Sequence, residues 1–132
     1  PVVDYIMDLF RSYSNSSDDK VLLQFSHAGG VKKVMSIFKL FEDEKPMAAD
    51  NFCSQQDRKW RSSIIAPFTT NLALVLYKCG DEKKIAAYHN EKPIKLGGCS
   101  DILCSYEEFY KMYNPIADEC DIKKICCTCC SD

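Results

Sequence analysis

The residues best suited to chemistry are His27 and the three that follow it, Ala28, Gly29 and Gly30. They stand where an apolar run, Val21-Leu22-Leu23-Gln24-Phe25, passes through Ser26 into a stretch with helical spacing from Val31 to Phe41. Such a β-branched-led run reads as a buried strand, and the glycines after it deliver a loop to a helix N-terminus. In open α/β sheets, ligands sit at junctions of this kind. The unpaired N–H groups of a first helical turn and the positive end of the helix dipole favour an anion, and a histidine beside them can donate a hydrogen bond to it. A phosphate contacted by His27, Ala28 and Gly29 is the chemistry the pattern suggests. The same connection occurs in many α/β proteins that hold nothing there, so the junction alone does not establish a site.

The remaining reactive residues are nine cysteines, at positions 53, 79, 99, 104, 120, 126, 127, 129 and 130, and one further histidine, His89. So many cysteines in 132 residues point to an oxidising compartment and a disulfide framework, and the odd count leaves one thiol free or joined to another chain. Asn15-Ser16-Ser17 is a glycosylation sequon in a polar stretch, which agrees with a secreted or lumenal location. The tail Cys126-Cys127-Thr128-Cys129-Cys130 has some likeness to a thiolate metal cluster, but the other cysteines are dispersed and no histidine is near, so the sequence argues for no metal and no cofactor. His89 reads as a surface or half-buried residue of a strand rather than a ligand. No serine sits on a nucleophile elbow, and no Ser-His-Asp or Cys-His set has usable spacing.

The elements that must position these residues follow from periodicity. Val2, Val3, Ile6, Leu9 and Phe10 give an amphipathic helix over residues 1–10, followed by a polar loop over 12–20. After the junction, Val31, Val34, Met35, Phe38 and Phe41 share one helical face, with Lys32, Lys33 and Lys39 toward water. Residues 42–51 form a loop, and in Asp57-Arg58-Lys59-Trp60-Arg61 the tryptophan packs while the basic residues cover its edge or form ion pairs. Residues 63–66 and 70–78 read as strands separated by Pro67. Gly80-Asp81 turns the chain, 84–89 is a further strand, Asn90 to Pro93 a turn and 94–96 its return, so this region is antiparallel. Residues 106–113 form a helix capped by Ser105, with Glu107 and Glu108 in its first turn, and Asn114-Pro115 ends it.

Composition narrows the partners. A chain of 132 residues, 46% hydrophobic and 27% charged, suits one globular domain with one core. A formal net charge of −2 supplies no basic field for nucleic acid or for an anionic membrane surface. The longest apolar stretch, 72–77, is too short to span a bilayer, so no membrane is expected as a partner. The sequence opens at Pro1 rather than methionine, which suggests a processed product whose leader has gone.

One family brings these features together. Leu-Gln-Phe-Ser-His-Ala-Gly-Gly (23–30), Arg-Lys-Trp-Arg-Ser (58–62), Ala-Pro-Phe-Thr-Thr-Asn-Leu (66–72) and Val-Leu-Tyr-Lys-Cys (75–79) occur in that order. They continue through Asn-Glu-Lys-Pro (90–93), Leu-Gly-Gly-Cys (96–99), Cys-Ser-Tyr (104–106) and Phe109. This order resembles the C-terminal part of the multiple inositol polyphosphate phosphatases, histidine acid phosphatases of the histidine phosphatase superfamily, from about Val21 to about Tyr113. The resemblance implies an α/β fold, part of a histidine-phosphatase-like α/β sandwich, with C-terminal antiparallel strands and a disulfide-rich tail. Residues 1–113 are then the C-terminal portion of that domain and 114–132 a cysteine-rich tail. It also implies that Cys99 and Cys104 are paired.

The resemblance further implies a secreted or lumenal phosphomonoesterase lineage acting on inositol phosphates. In that family an Arg-His-Gly motif supplies a histidine nucleophile, and a His-Ala-Glu motif supplies a phosphate-contacting histidine and the acid that protonates the leaving alcohol. His27 and Ala28 match the second motif, but Gly29 stands at the acid, and no Arg-His-Gly occurs in the sequence. The chain is therefore expected to be inactive alone, a pseudoenzyme in isolation, with an N-terminal phosphatase-like chain as partner, joined through the odd cysteine, and phosphate or an inositol phosphate as ligand. The alternatives are a stand-alone secreted, disulfide-rich binding or toxin-like protein derived from a phosphatase, and an enzyme using Glu42 or Asp43 as its acid with a partner's nucleophile.

Overall fold

The computed structural model describes residues 2–15 and 20–121. The cysteines from 126 onward, and two residues of the Asn15 sequon, lie outside the described residues; Asn15 itself is exposed in the turn that ends the first helix. Along the chain come α1 (Val2–Ser14), α2 (Ala28–Ile37), a 3-10 turn at Phe52–Ser54, and α3 (Ser62–Ile65). Then follow β1 (Leu72–Cys79), β2 (Glu82–His89), β3 (Lys92–Ile94), β4 (Leu103–Ser105) and α4 (Tyr106–Asp118).

The sheet is antiparallel throughout and is built on β2. β1 pairs with β2 along its whole length, from Leu72 opposite His89 to Cys79 opposite Glu82, while β3 and β4 share the other side of β2. Both hairpins have two-residue loops. Gly80, at φ +67°, takes the first position of one, and Asn90 and Glu91, at φ 48° and 61°, form the other. The second turn therefore occupies only 90–91, and β3 starts at Lys92, two residues earlier than periodicity suggests. Pro93 has no N–H to offer a ladder, and it sits in this short outer strand, where none is needed.

Alternation along β2 places Ile85, Ala87 and His89 on the inner face, against a core supplied by three helices. α1 contributes Val3, Met7 and Phe10, α2 contributes Met35, and α4 contributes Phe109, Tyr113 and Ala117. α2 stops at Ile37 rather than running to Phe41. Lys39, in the left-handed region at φ 50°, donates its N–H to Ser36 O and Leu40 donates to Met35 O, so the last carbonyls are satisfied in a Schellman turn, with Leu40 and Met35 both buried. Gly97 packs against this turn, donating to Phe38 O at 2.9 Å; a Cβ there would lie 2.9 Å from that same carbonyl oxygen, so the close approach needs glycine.

α4 carries the expected cap in full. Ser105 Oγ accepts from the Glu108 N–H, and Glu108 accepts from the Ser105 N–H, a reciprocal capping box. Hydrogen bonds from the Ser100 hydroxyl and then the Ser105 N–H hold the Glu108 carboxyl below its ordinary range. The helix does not end at Asn114-Pro115 but continues to Asp118. Tyr113 and Ala117, buried on either side, hold it to the core, while Pro115 and Lys111, whose carbonyl loses its intrahelical donor, are exposed to water.

Two further expectations are corrected. Residues 63–66 are not a strand: Ser62–Ile65 form the helical turn α3, in which the Arg61 carbonyl accepts from Ile64 and Ile65, both at 2.9 Å, and three apolar residues before a proline are too few to fix a period. The run 21–25 is not a buried strand. It pairs in no ladder, with Val21 83%, Leu23 72% and Phe25 93% exposed, because no other described strand lies alongside it. The disulfide that the resemblance implied, Cys99–Cys104, is formed, and among the described residues Cys53, Cys79 and Cys120 are free thiols. The overall class is mixed α/β with an antiparallel sheet.

Tyr113 ties α4 to both the α2 turn and the Gly97 loop. Its buried hydroxyl donates to Gly97 O at 2.7 Å, with Phe38 O 3.4 Å away, and burial pushes the phenol up to about 12 from its ordinary 10. A raised pKa favours the neutral form in the folded state, so this contribution is complete below pH 10 and is lost as pH rises from 10 through 12. Tyr113→Phe is expected to cost about 1 kcal/mol at neutral pH, because one buried carbonyl loses its donor. In urea titrations at several pH values, the loss between wild type and variant should shrink above pH 10; a gap that stays constant or widens there contradicts the assignment.

Candidate functional site

His27 is the N-cap of α2. Its backbone is extended, with φ −113° and ψ 170°, and its carbonyl accepts the N–H groups of Gly30 at 2.8 Å and Val31 at 3.2 Å. The helix thus begins at Ala28, immediately after the histidine, as the junction requires. The imidazole makes no capping bond, and His27, Ala28 and Gly29 are all exposed. No acidic residue stands in the first turn, so among the described residues the N–H groups of Ala28 and Gly29 and the positive end of the dipole face outward without a carboxylate.

The two glycines differ. A Cβ at Gly29 would meet nothing within 4 Å, so the position accepts a side chain freely. A Cβ at Gly30 would run into the Ser26 side chain, so Gly30 is what lets the chain fold back over Ser26 as it enters the helix. What this constellation can do alone is bind an anion. The position next to His27 and Ala28 is Gly29, which carries no acid.

His89 serves the fold. It is 9% exposed, its ring meets Phe41 edge-on at 5.0 Å, and Nε2 lies 2.9 Å from Ile65 O. A carbonyl only accepts, so Nε2 carries the proton and donates, with Thr70 Oγ1 3.3 Å away. The histidine is buried rather than at the surface because it fastens α3 to the end of β2.

Of the two alternative acids, Glu42 is exposed, while Asp43 is bonded to a neighbouring loop. Asp43 Oδ1 accepts the Lys59 N–H at 2.6 Å and Oδ2 accepts the Trp60 N–H at 3.0 Å. The Trp60 amide first and the Lys59 amide second hold this carboxyl below the ordinary aspartate range. A carboxylate occupied on both oxygens and held ionised is a clamp between two loops, not a proton donor. No sequence signal marks it, since the partners are backbone amides sixteen and seventeen residues away. Beside it lies an open depression of about 430 Å³ lined by Ser36, Phe41, Lys45 and Trp60 among others, none of them His27, Ala28 or Gly29. The basic residues flanking Trp60 turn to carbonyls: Arg58 donates to Gln55 O and lies over the Phe52 ring, and Arg61 donates to Gln56 O.

The chain is similar to three phosphatases. Multiple inositol polyphosphate phosphatase 1 of Dictyostelium discoideum is 33% identical over 103 residues, which covers 75% of this chain and 16% of that protein. The protein of the same name from Drosophila melanogaster is 31% identical over 116 residues, 86% of this chain and 25% of its own length. That from Homo sapiens is 32% identical over 122 residues, 88% of this chain and 25% of its own length. No family model and no solved structure matches the chain. Sharing this identity over three quarters or more of its residues, while spanning a quarter or less of those relatives, the chain belongs to the multiple inositol polyphosphate phosphatase lineage.

Proposed function

We propose that the chain is the C-terminal portion of a secreted or lumenal histidine acid phosphatase-like protein, and that it forms one wall of a phosphate site without catalysing hydrolysis alone. The observation that carries this reading is His27 at the N-cap of α2, with an imidazole that makes no capping bond and with the exposed residues Ala28 and Gly29 beside it. Both can hold a phosphoryl oxygen. The reaction also needs a nucleophile, arginines to hold the phosphoryl charge, and an acid for the leaving oxygen, and these would come from an N-terminal phosphatase-like chain. The sheet described here would then be the C-terminal part of a larger α/β sandwich. Asn15, exposed in a turn, suits glycosylation in that compartment.

Intact mass of the natural material, before and after reduction, tests the assembly. A larger species that reduction separates into this chain and a second one is expected. A species whose mass is unchanged by reduction would favour the stand-alone binding protein. Calorimetry with inositol hexakisphosphate tests the site. His27→Ala is expected to weaken binding to the assembly by roughly tenfold, the worth of a charge-assisted hydrogen bond, and unchanged binding would remove His27 from the site. Gly29→Glu has room for its side chain and should give phosphatase activity only where a nucleophile is present.

A further inference from the structure

The depression beside Asp43, of about 430 Å³, stands apart from the His27 junction, and its lining points to one kind of ligand. Small-molecule sites run from roughly 300 to 1,000 Å³ and combine apolar walls with a few polar groups. Here Phe41 and Trp60 supply the apolar walls, and the rim carries the cations Lys39, Lys45 and Arg58 and the carboxylates Glu42, Asp43 and Glu44. Three positive charges balance three negative ones, so a phosphate entering the depression would face carboxylates and an ammonium would face cations. Both aromatic walls are set in advance. Asp43 Oδ2 holds the Trp60 N–H at 3.0 Å. Phe41 lies in the left-handed region, at φ 60°, which a bulky residue keeps only where its surroundings fix it, and its ring meets His89 at 5.0 Å. Arg58 Nε is buried and has no hydrogen-bond partner among the described residues.

We propose that this depression binds a neutral hexopyranose, the end sugar of a glycan. A pyranose chair presents C–H groups on a face and hydroxyls around its edge. The C–H face suits the aromatic walls, where its burial is favourable. Each hydroxyl both donates and accepts, so one ring uses both signs of the rim, donating to Glu42 or Glu44 and accepting from Lys45 or Arg58. Asp43 keeps its place in the clamp, since its two oxygens already take the Lys59 and Trp60 amides. A neutral ring also gives up less hydration than an ion on entering a site whose charges sum to zero. None of His27, Ala28 and Gly29 lines the depression, so sugar binding and phosphate binding are independent properties of the chain.

Trp60 is the only tryptophan, so its fluorescence reports on this depression. The full chain is titrated with methyl β-glucoside, methyl α-mannoside and N-acetylglucosamine, with tetramethylammonium and inositol hexakisphosphate as charged controls, and amide shifts are followed by NMR. The expected result is saturation by at least one of the sugars, with a dissociation constant on the order of 1 mM and shifts centred on residues 39–47 and 58–60. Glu44→Ala with Lys45→Ala removes one charge of each sign from exposed positions, so the melting temperature should hold while sugar binding weakens at least fivefold. If that variant melts lower, Glu42→Gln, which keeps the side chain's shape, is read in its place and should weaken binding at least threefold. A linear response to all three sugars overturns the proposal. Saturation by either charged control at the same amides, in place of a sugar, overturns the neutral ligand. Sugar binding that shifts other amides, or that the variants leave unchanged, overturns the placement. In each case the phosphate reading stands.

Discussion

Phe109→Ala is expected to lower the stability of the chain by about 3–5 kcal/mol, a large share of the roughly 5–15 kcal/mol that holds a domain together. Phe109 is fully buried at the point where three helices meet. Its ring stands edge-on to Phe10 of α1 at 5.5 Å, lies 6.0 Å from Phe38 after α2, and is 4.9 Å from Tyr113 one turn along α4. Removing it withdraws apolar burial and leaves a cavity that rings fixed on three elements cannot readily close. Urea unfolding followed by circular dichroism gives the number. Phe109→Leu should cost about half as much or less, since more of the volume is kept. A loss under about 1 kcal/mol for the alanine variant would mean that the ring cluster is not the centre of the core.

The double replacement of Cys99 and Cys104 by alanine is expected to cost about 2 kcal/mol, from the entropy that a short closed loop removes from the unfolded chain. The sulfurs are buried, at 4% and 0% exposure, and the loop they close leads through β4 into the α4 cap, where Cys104 Sγ lies 3.9 Å from Glu108 Oε2. Thermal melts in oxidised and reduced buffer should differ for the wild type and differ less for the double variant. Alkylating the exposed thiols of Cys53 and Cys79 should leave the melt unchanged. Equal melts for oxidised and reduced wild type would show that the bridge adds nothing to the fold.

Much of this fold is legible because its determinants are local. Ser105 with Glu107 and Glu108 announces α4, Gly80-Asp81 and Asn90-Glu91 announce two hairpins, and the apolar spacing from Val2 to Phe10 announces α1. The errors arise where a distant contact decides. Pro115 reads as a stop until Tyr113 and Ala117 are seen buried on either side of it. Residues 63–66 are too few to separate a strand from a helical turn, and residues 21–25 carry the pattern of a buried strand that this chain alone does not bury. The candidate site divides in the same way. His27-Ala28-Gly29 is visible in sequence because its order matters, and α2 begins where that order requires. Asp43 was recognisable only as an acid, because its role depends on two amides that the fold brings to it.

The pairing of α1 with α4 has a consequence for biosynthesis. Arg11 reaches Asn114, and also the hydroxyl of Tyr110, 99 residues further along the chain. On a ribosome, α1 leaves the exit tunnel first and α4 among the last of the described elements. At about 5–20 residues per second, the apolar face of Val3, Met7 and Phe10 waits on the order of 5–20 s for its cover. The central hairpins, whose partners are neighbours in sequence, close in microseconds once they emerge. Nascent α1 is therefore the natural target for a chaperone, and release of that chaperone should coincide with the arrival of α4 rather than with formation of the sheet.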